Sequence, residues 1–309
     1  MRSVRSVSVV VVTYNSEQHI ETCLSHLEGR GHEVVVVDNA SSDGTVELVR
    51  RRFPDVRVIP LEENIGYGAA NNVGIDATTG PYVLVLNPDA WPLGDAIERL
   101  VDAAEASPHA AIVAPRLLDE LGTHRPSVRG FPTVWRLATT YLFLRYLAPR
   151  SRNLNAFWGA GVDTRSRVAV EWVIGAAMLV KREALEEAGS FDPSFFMYMD
   201  ETDLAFRLHR HGWEVLYDPQ PEFVHLRGRS TRQRPFEMNR EIMRSHVRFL
   251  DKHHGRASAE RGRRVLLAAM RLRSLVFRGP RRRYAADAAR WLRAHSVTAL
   301  LAESAGARR

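Results

Sequence analysis

Two acidic clusters stand far apart in the chain. Asn87-Pro88-Asp89 closes the apolar run Tyr82-Val83-Leu84-Val85-Leu86, and Asp200-Glu201-Thr202-Asp203 comes just after Phe195-Phe196-Met197-Tyr198. A carboxylate at the carboxyl end of a buried strand can hold a divalent metal against a diphosphate, while a second carboxylate can take a proton from an attacking hydroxyl. The pairing suggests sugar transfer. Neither cluster decides the matter alone, because an acid after a strand is commonly a turn former or a helix cap. Asp200, Glu201 and Asp203 also precede the helical stretch Leu204 to His211, where carboxylates stabilise a first turn. Both roles can coexist, since a helix start would set the acids at a rim that a substrate reaches.

The elements that must position these acids alternate along the first third of the chain. Val7 to Val12, Val34 to Val37, Val56 to Ile59 and Tyr82 to Leu86 are short β-branched runs, separated by helical stretches such as Glu17 to Leu27 and Thr45 to Arg52. Continuous apolar strands with intervening helices predict an α/β fold with a mostly parallel sheet covered on both faces, binding ligands beyond the carboxyl ends of its strands. Four polar motifs lie at those ends: Thr13-Tyr14-Asn15, Asp38-Asn39-Ala40-Ser41-Ser42-Asp43-Gly44, Glu63-Asn64-Ile65-Gly66-Tyr67-Gly68 and Asn87-Pro88-Asp89. Asp38 either accepts hydrogen bonds from the edge of a pyrimidine base or caps a turn. The segment Gly66 to Asn71 approaches a dinucleotide fingerprint, but it lacks the final glycine or alanine and follows the third strand instead of the first, which argues against hydride transfer. A Walker-type phosphate loop is absent from the sequence.

Composition narrows the class. The single cysteine, Cys23, rules out an internal disulfide framework and a thiolate metal cluster, and is compatible with a reducing compartment. Val7 to Val12 reads as a first strand and not as the apolar core of a signal peptide. No apolar stretch approaches the roughly 20 residues needed to span a bilayer. The net charge of +7 is unevenly spread: Arg256 to Arg309 holds fourteen arginines against three acids, +11, leaving −4 for residues 1–255. A net-acidic body speaks against nucleic acid as a partner. Between the tail's arginines runs Val265-Leu266-Leu267-Ala268-Ala269-Met270, which favours a helix on a surface over a disordered basic arm. Arg264, Arg271 and Arg278 share one line of that helix, whereas Arg273 points nearly opposite.

The chain resembles the inverting glycosyltransferases of family 2, and within them the bacterial rhamnosyltransferases of cell-wall and surface polysaccharide synthesis. The resemblance rests on Val9 to Asn15, Val37 to Thr45, Asn64 to Asn72, Leu86 to Asp89, Trp172 to Met178 and Phe191 to Leu204, in the family's order and spread over roughly residues 7–250. It implies a nucleotide-diphospho-sugar transferase (GT-A) fold over residues 1–254, with a nucleotide-binding half to about 120 and an acceptor half beyond it. Residues 255–309 would be a basic helical extension. Carried over by position, Thr13, Tyr14, Asn15, Asp38 and Asn39 hold the nucleotide, Asn64, Gly68 and Asn71 flank the donor, and Trp172, Gly175 and Ala176 face the acceptor. Asp89 takes the place of the metal-binding aspartate and His225, in Val224 to Ser230, that of a histidine completing the site for Mg or Mn. Where the general signature has two aspartates flanking one residue, this chain has Asn87 at the first place.

The family's catalytic base aligns with Glu201, a methylene longer than the usual aspartate, and Asp200 is the substitute. The resemblance further implies a nucleotide-sugar donor, dTDP-rhamnose before UDP sugars, and a polyprenyl-diphosphate-linked saccharide as acceptor. The expected location is cytoplasmic, peripheral at the inner face of the plasma membrane. The apolar run Leu137 to Leu147, ending near Arg145 and Arg150, is either a core helix or, with the basic tail, a contact for an anionic membrane. A homo-oligomer is compatible with the sequence. A catalytically idle carbohydrate- or nucleotide-binding relative would carry the same motifs but would have no chemical need for both Asp89 and Glu201.

Overall fold

The β-branched runs near the amino terminus become strands and the stretches between them helices. The order is β1 (Val7–Thr13), α1 (Glu17–Ser25), β2 (Glu33–Asp38), α2 (Thr45–Arg52), β3 (Arg57–Pro60), α3 (Tyr67–Asp76), β4 (Tyr82–Leu86), β5 (Ala90–Pro92), α4 (Ala96–Glu105), β6 (Ala110–Leu118), β7 (His124–Arg125) and β8 (Val128–Arg129). There follow α5 (Val134–Tyr141), α6 (Arg152–Asn155), β9 (Val168–Val170), β10 (Trp172–Val173), β11 (Ala177–Lys181), α7 (Arg182–Ala188), α8 (Asp200–Arg210), β12 (Glu214–His225), α9 (Pro235–His254), α10 (Arg256–Val276), α11 (Gly279–Ala294) and α12 (Val297–Ala302). The computed structural model describes residues 7–226 and 235–302. The described residues group into two compact units, one of residues 7–128, 163–193 and 200–226, the other of residues 129–162, 194–199 and 235–302.

The first unit is built on a ten-stranded sheet in the order β3-β2-β1-β4-β11-β6-β12-β5, with β7 beside β6 and β9 beside β12. Strands β1 to β4 run parallel, as predicted. The sheet then turns mixed: β11 is antiparallel to both β4 and β6, β12 is parallel to β6, and β5 is antiparallel to β12. The reversals place the site. Pairing Ala177 with Leu86 sets the start of β11 against the end of β4, so Gly175 and Ala176 arrive beside Asn87; a parallel strand would have carried them to the opposite edge. Pairing His225 with Ala90 likewise brings the end of β12 to Asp89.

Every residue of β1 is buried, as a central strand covered on both faces requires. On one face Val9, Val11, Leu84, Leu86, Ile97 and Leu100 form the main core; on the other, Val12, Val35, Val37 and Ala70 pack with Tyr67 and Ile59. Full burial of each such Val, Leu or Ile stabilises by about 1.5–3 kcal/mol relative to exposure.

The second unit is helical. Leu137 of α5, Met243, Val247 and Leu250 of α9, Leu266 and Met270 of α10, Leu292 of α11 and Leu300 of α12 share one core. A methyl group on Gly262 would meet Leu250 Cδ1 at 2.2 Å, so glycine is what permits the close approach of α10 to α9. The boundary expected after residue 254 therefore falls at a joint between helices of one core, and the carboxyl-terminal region is helical without being a separate appendage here. Arg273, which departed from the arginine line in the sequence, is half-buried. Its guanidinium donates to the carbonyls of Tyr141 (2.8 Å) and Thr140 (3.1 Å), groups that α5 leaves unpaired at its end. The apolar run after Leu137 stays helical only to Tyr141, because Phe143 takes a left-handed conformation (φ 66°) before a short turn over Leu144–Tyr146. No helix among the described residues is long and apolar enough to cross a membrane.

Candidate active site

The predicted nucleotide residues meet at the carboxyl ends of β1, β2 and β3, where they are largely engaged with one another. Asp38 is buried; one carboxylate oxygen accepts from Thr13 Oγ1 (2.8 Å) and Ser41 Oγ (2.6 Å), the other from the Ser41 backbone N–H (2.9 Å). Its turn-capping role is thus realised. Asn15, at φ 49°, accepts from the Ser42 N–H on its Oδ1 at 2.8 Å and donates its own N–H to Ser41 Oγ at 2.9 Å, tying the first loop to the second. Tyr14 is half-buried between them. Asn39 clamps the third loop: its amide donates to Asn64 Oδ1 (2.9 Å) and Gly66 O (3.1 Å) and accepts from the Ile65 N–H (2.9 Å). Gly66 opens α3 at φ 95°, a conformation that disfavours a side chain. Ala40, at φ 64°, has no such exemption, and a non-glycine residue held there marks backbone strain beside the loop.

Asp89 and His225 come together as the resemblance implied. His225 Nε2 lies 3.3 Å from Asp89 Oδ1, with both side chains about one-tenth exposed. The Leu226 N–H donates to Asp89 O at 3.0 Å and fixes the pairing; the rest of that motif, Arg227 to Ser230, lies outside the described residues. Asn87 stands 3.4 Å from His225 Nε2 through its amide. Among the described residues no three His, Cys, Asp or Glu side chains gather into a metal cluster. A carboxylate and an imidazole that leave most of the coordination shell to diphosphate oxygens and water fit Mg or Mn, which are commonly bound through few protein donors plus substrate phosphates. Cys23 is no part of this set: burial and the Asp89 charge push its thiol far up, so it stays protonated.

The acids of the second cluster form the first turn of α8, four residues earlier than the sequence placed the helix. They separate into two roles. Asp203 is fully buried and its carboxylate accepts from Arg207 Nε at 2.8 Å, while the same guanidinium ties down the carbonyls of residues 188–190. Asp203 therefore serves the fold. Asp200 and Glu201 each keep one buried carboxylate oxygen without a hydrogen-bond partner, Oδ2 and Oε2. Burial, and next the adjacent Glu201 charge, push the Asp200 carboxyl well above the usual range. Gly68 allows this proximity, since a methyl group there would sit 3.3 Å from Asp200 Cβ and 3.0 Å from Phe191 Cβ. Gly175 lies on the other side, with its built methyl position 3.4 Å from Glu201 Cβ. Asn71, buried at the start of α3, also leaves its Oδ1 unpartnered. Ala176 reaches the site through its backbone, accepting from the Asn87 N–H at 2.9 Å. Trp172 is buried on β10, against which α8 packs.

One residue of the centre was not assigned a role from the sequence. Tyr67 shares its phenol proton between Asn87 Oδ1 (2.8 Å) and Gly175 O (3.1 Å). Burial first, then the Asp200 charge, push its pKa far up and keep it a donor. It was legible only as the tyrosine between two glycines of a loop, because the partners that give it meaning lie on β4 and before β11.

Strand-end loops, a carboxylate–imidazole pair and an acid-bearing helix start on one α/β sheet define a sugar-nucleotide transferase of the GT-A type. Residues 8–162 match the family model of glycosyl transferase family 2. The chain is 33% identical over 296 residues to N-acetylglucosaminyl-diphospho-decaprenol L-rhamnosyltransferase of Mycobacterium tuberculosis, an alignment covering 89% of this chain and 95% of that protein. In fold it is similar to the mannosyltransferase PcManGT from Pyrobaculum calidifontis, solved with GDP-Man and Mn2+ (TM-score 0.55, 22% identity, 96% of this chain and 84% of that one). It is also similar to GalNAc-T7, solved with UDP, GalNAc and Mn2+ (TM-score 0.53, 16% identity, 71% of this chain and 43% of that one). The chain belongs to glycosyl transferase family 2 and is a glycosyltransferase.

Proposed function

We propose that the enzyme transfers rhamnose from dTDP-rhamnose, with inversion, to a saccharide carried on a polyprenyl diphosphate, in cell-wall or surface polysaccharide synthesis. The observation that carries this reading is the pair of acids Asp200 and Glu201, each with one buried carboxylate oxygen that lacks a hydrogen-bond partner, on the same unit as Asp89 and His225 in a chain related along most of its length to a rhamnosyltransferase. Thr13, Tyr14, Asn15, Asp38 and Asn39 shape the nucleotide pocket; Asn64, Gly68 and Asn71 border the donor. Asp89 and His225 would hold a divalent cation, Mg or Mn, which when bound neutralises the diphosphate and stabilises charge on the leaving group.

Glu201 takes the proton of the acceptor hydroxyl as it attacks the anomeric carbon on the face opposite the diphosphate. Burial and the adjacent Glu201 charge shift the Asp200 carboxyl toward its neutral form, and Glu201 stands at the position of the family's base. Trp172, Gly175 and Ala176 wall the acceptor side, and Tyr67 fixes Asn87 against Gly175. Such an acceptor places the enzyme at a membrane surface, peripheral to the cytoplasmic leaflet.

The test offers the purified chain dTDP-rhamnose, UDP sugars and GDP-mannose with Mg or Mn, using N-acetylglucosaminyl-diphospho-polyprenol as acceptor. Rhamnosylated lipid is expected. Transfer from a UDP sugar alone would replace the donor, and neither transfer nor donor hydrolysis with any of them would favour a catalytically idle sugar-nucleotide binder.

A further inference from the structure

The four most exposed large apolar side chains among the described residues of the helical unit fall in two short segments. Tyr146 (64% exposed) and Leu147 (79%) follow α5, while Leu275 (81%) and Val276 (59%) end α10. Ring contacts join the two segments from beneath. Phe143 lies edge-on to Phe277 with centroids 5.7 Å apart and stands 6.3 Å from Tyr146. The Arg273 guanidinium covers the rings of Tyr141, Phe143 and Phe277 at 4.9–5.6 Å. The left-handed Phe143 is an outlier for an aromatic residue, kept where its surroundings over-determine it. Two segments remote in sequence thus build one rigid knob with leucine, valine and tyrosine at its tip.

The chain around the knob is cationic throughout. Arg150, Arg271, Arg278 and the run Arg281-Arg282-Arg283 are exposed, and no acid occurs from Leu121 to Val162 or from Arg261 to Ala286. This pairing selects the partner. A nucleic acid would satisfy the arginines but offer nothing to Leu147, Leu275 and Val276, and a second copy of the chain would bring one arginine collar against another. An anionic bilayer meets both demands, with the acyl boundary taking the apolar tip and headgroup phosphates the guanidinium groups.

We propose that this knob is a membrane-docking surface, inserting Leu147, Leu275 and Val276 at the interface of an anionic bilayer while the surrounding arginines bind lipid phosphates. It deepens the lipid-linked acceptor reading and rests on it only for its biological purpose; the physical claim stands on the knob alone.

The test is cosedimentation of the full chain with phosphatidylcholine vesicles, with and without phosphatidylglycerol and free of any acceptor lipid. The variants are Leu147→Asp with Leu275→Asp, and Arg281→Glu with Arg282→Glu and Arg283→Glu. All five positions are exposed, and thermal melting checks the fold; should the double variant unfold, Leu147→Asp alone reads the same partition. The parent is expected to favour the anionic vesicles and to be released by salt, and each variant to partition at least about tenfold less. Equal partition of parent and variants would overturn the proposal. So would no preference for anionic lipid, a parent dimer that Leu275→Asp separates, or tighter binding to duplex DNA than to the vesicles. Because the vesicles carry no acceptor, failure here leaves the transferase reading intact, and failure of rhamnose transfer leaves the docking result intact.

Discussion

Buried polar groups behave differently in the two units. In the helical unit Glu241 pairs with Arg244, whose guanidinium lies 5.3 Å above the Trp291 ring, and Arg240 grips Asp287 with two bonds of 2.6 and 2.8 Å. These charges hold helices together. In the sheet unit Asn71, Asp200, Glu201 and Thr202 each keep a buried polar atom without a partner, at the starts of α3 and α8. A buried polar atom left unpaired costs about 1–3 kcal/mol, and a fold tolerates several in one place where they serve chemistry. Such atoms also occur singly elsewhere, on His32, Arg116 and Ser127 of the sheet unit and on Thr140 and His246 of the helical unit, so it is the run of three successive residues, Asp200 to Thr202, that sets the site apart.

The contrast breaks if the sheet unit's acids are only structural. Asp89→Ala should abolish metal-dependent binding of nucleoside diphosphate, read by calorimetry with and without Mg or Mn; unchanged metal-dependent affinity in a folded variant would remove Asp89 from the site. In the helical unit Thr140 and His246 also leave a buried polar atom unpartnered, and of these His246 is the one that titrates. Its Nδ1–H donates to Ile242 O at 2.6 Å, its Nε2 has no partner, and burial among Tyr141 and Phe157 lowers its pKa from 6.5 to about 4. The folded state then refuses a proton that the unfolded chain accepts, so stability is full above pH 6.5, falls as pH drops toward 4 and levels off below. The shift amounts to about 3 kcal/mol. His246→Leu should flatten that part of the melting profile, and an unchanged profile would show that His246 is not what titrates. Smaller still, Arg273→Ala should destabilise by about 2 kcal/mol in urea unfolding through lost carbonyl bonds and ring contacts, whereas Arg271→Ala on the exposed line should change little.

The parallel half of the sheet was readable because β1 to β4 are short apolar runs alternating with helical stretches, a pattern that crossover connections fold into parallel neighbours. The entry of β11 in reverse was not, since Ala177 to Lys181 would be equally apolar in either direction. At the site, Asp89, His225, Asp200 and Glu201 were legible as residue types at motif positions. What Asp203 does became visible only with Arg207 and the carbonyls of residues 188–190 around it. The carboxyl-terminal helices were legible as helices, but their share in one core depends on Gly262 letting α10 close on Leu250 of α9 and on Arg273 meeting carbonyls of α5 more than a hundred residues away, which composition does not reveal.

Glu201 as the base, with Asp200 beside it in a supporting role, is tested by the rate of sugar transfer in Glu201→Gln and Asp200→Asn, each first shown to bind donor and metal like the parent. The amide keeps the size of Glu201 and removes its ability to take a proton. The account predicts a loss of ~10²-fold or more in Glu201→Gln, the usual scale of a general base, and a much smaller loss in Asp200→Asn. A dead Asp200→Asn beside a Glu201→Gln that transfers at nearly the parent rate would contradict it and exchange the two roles.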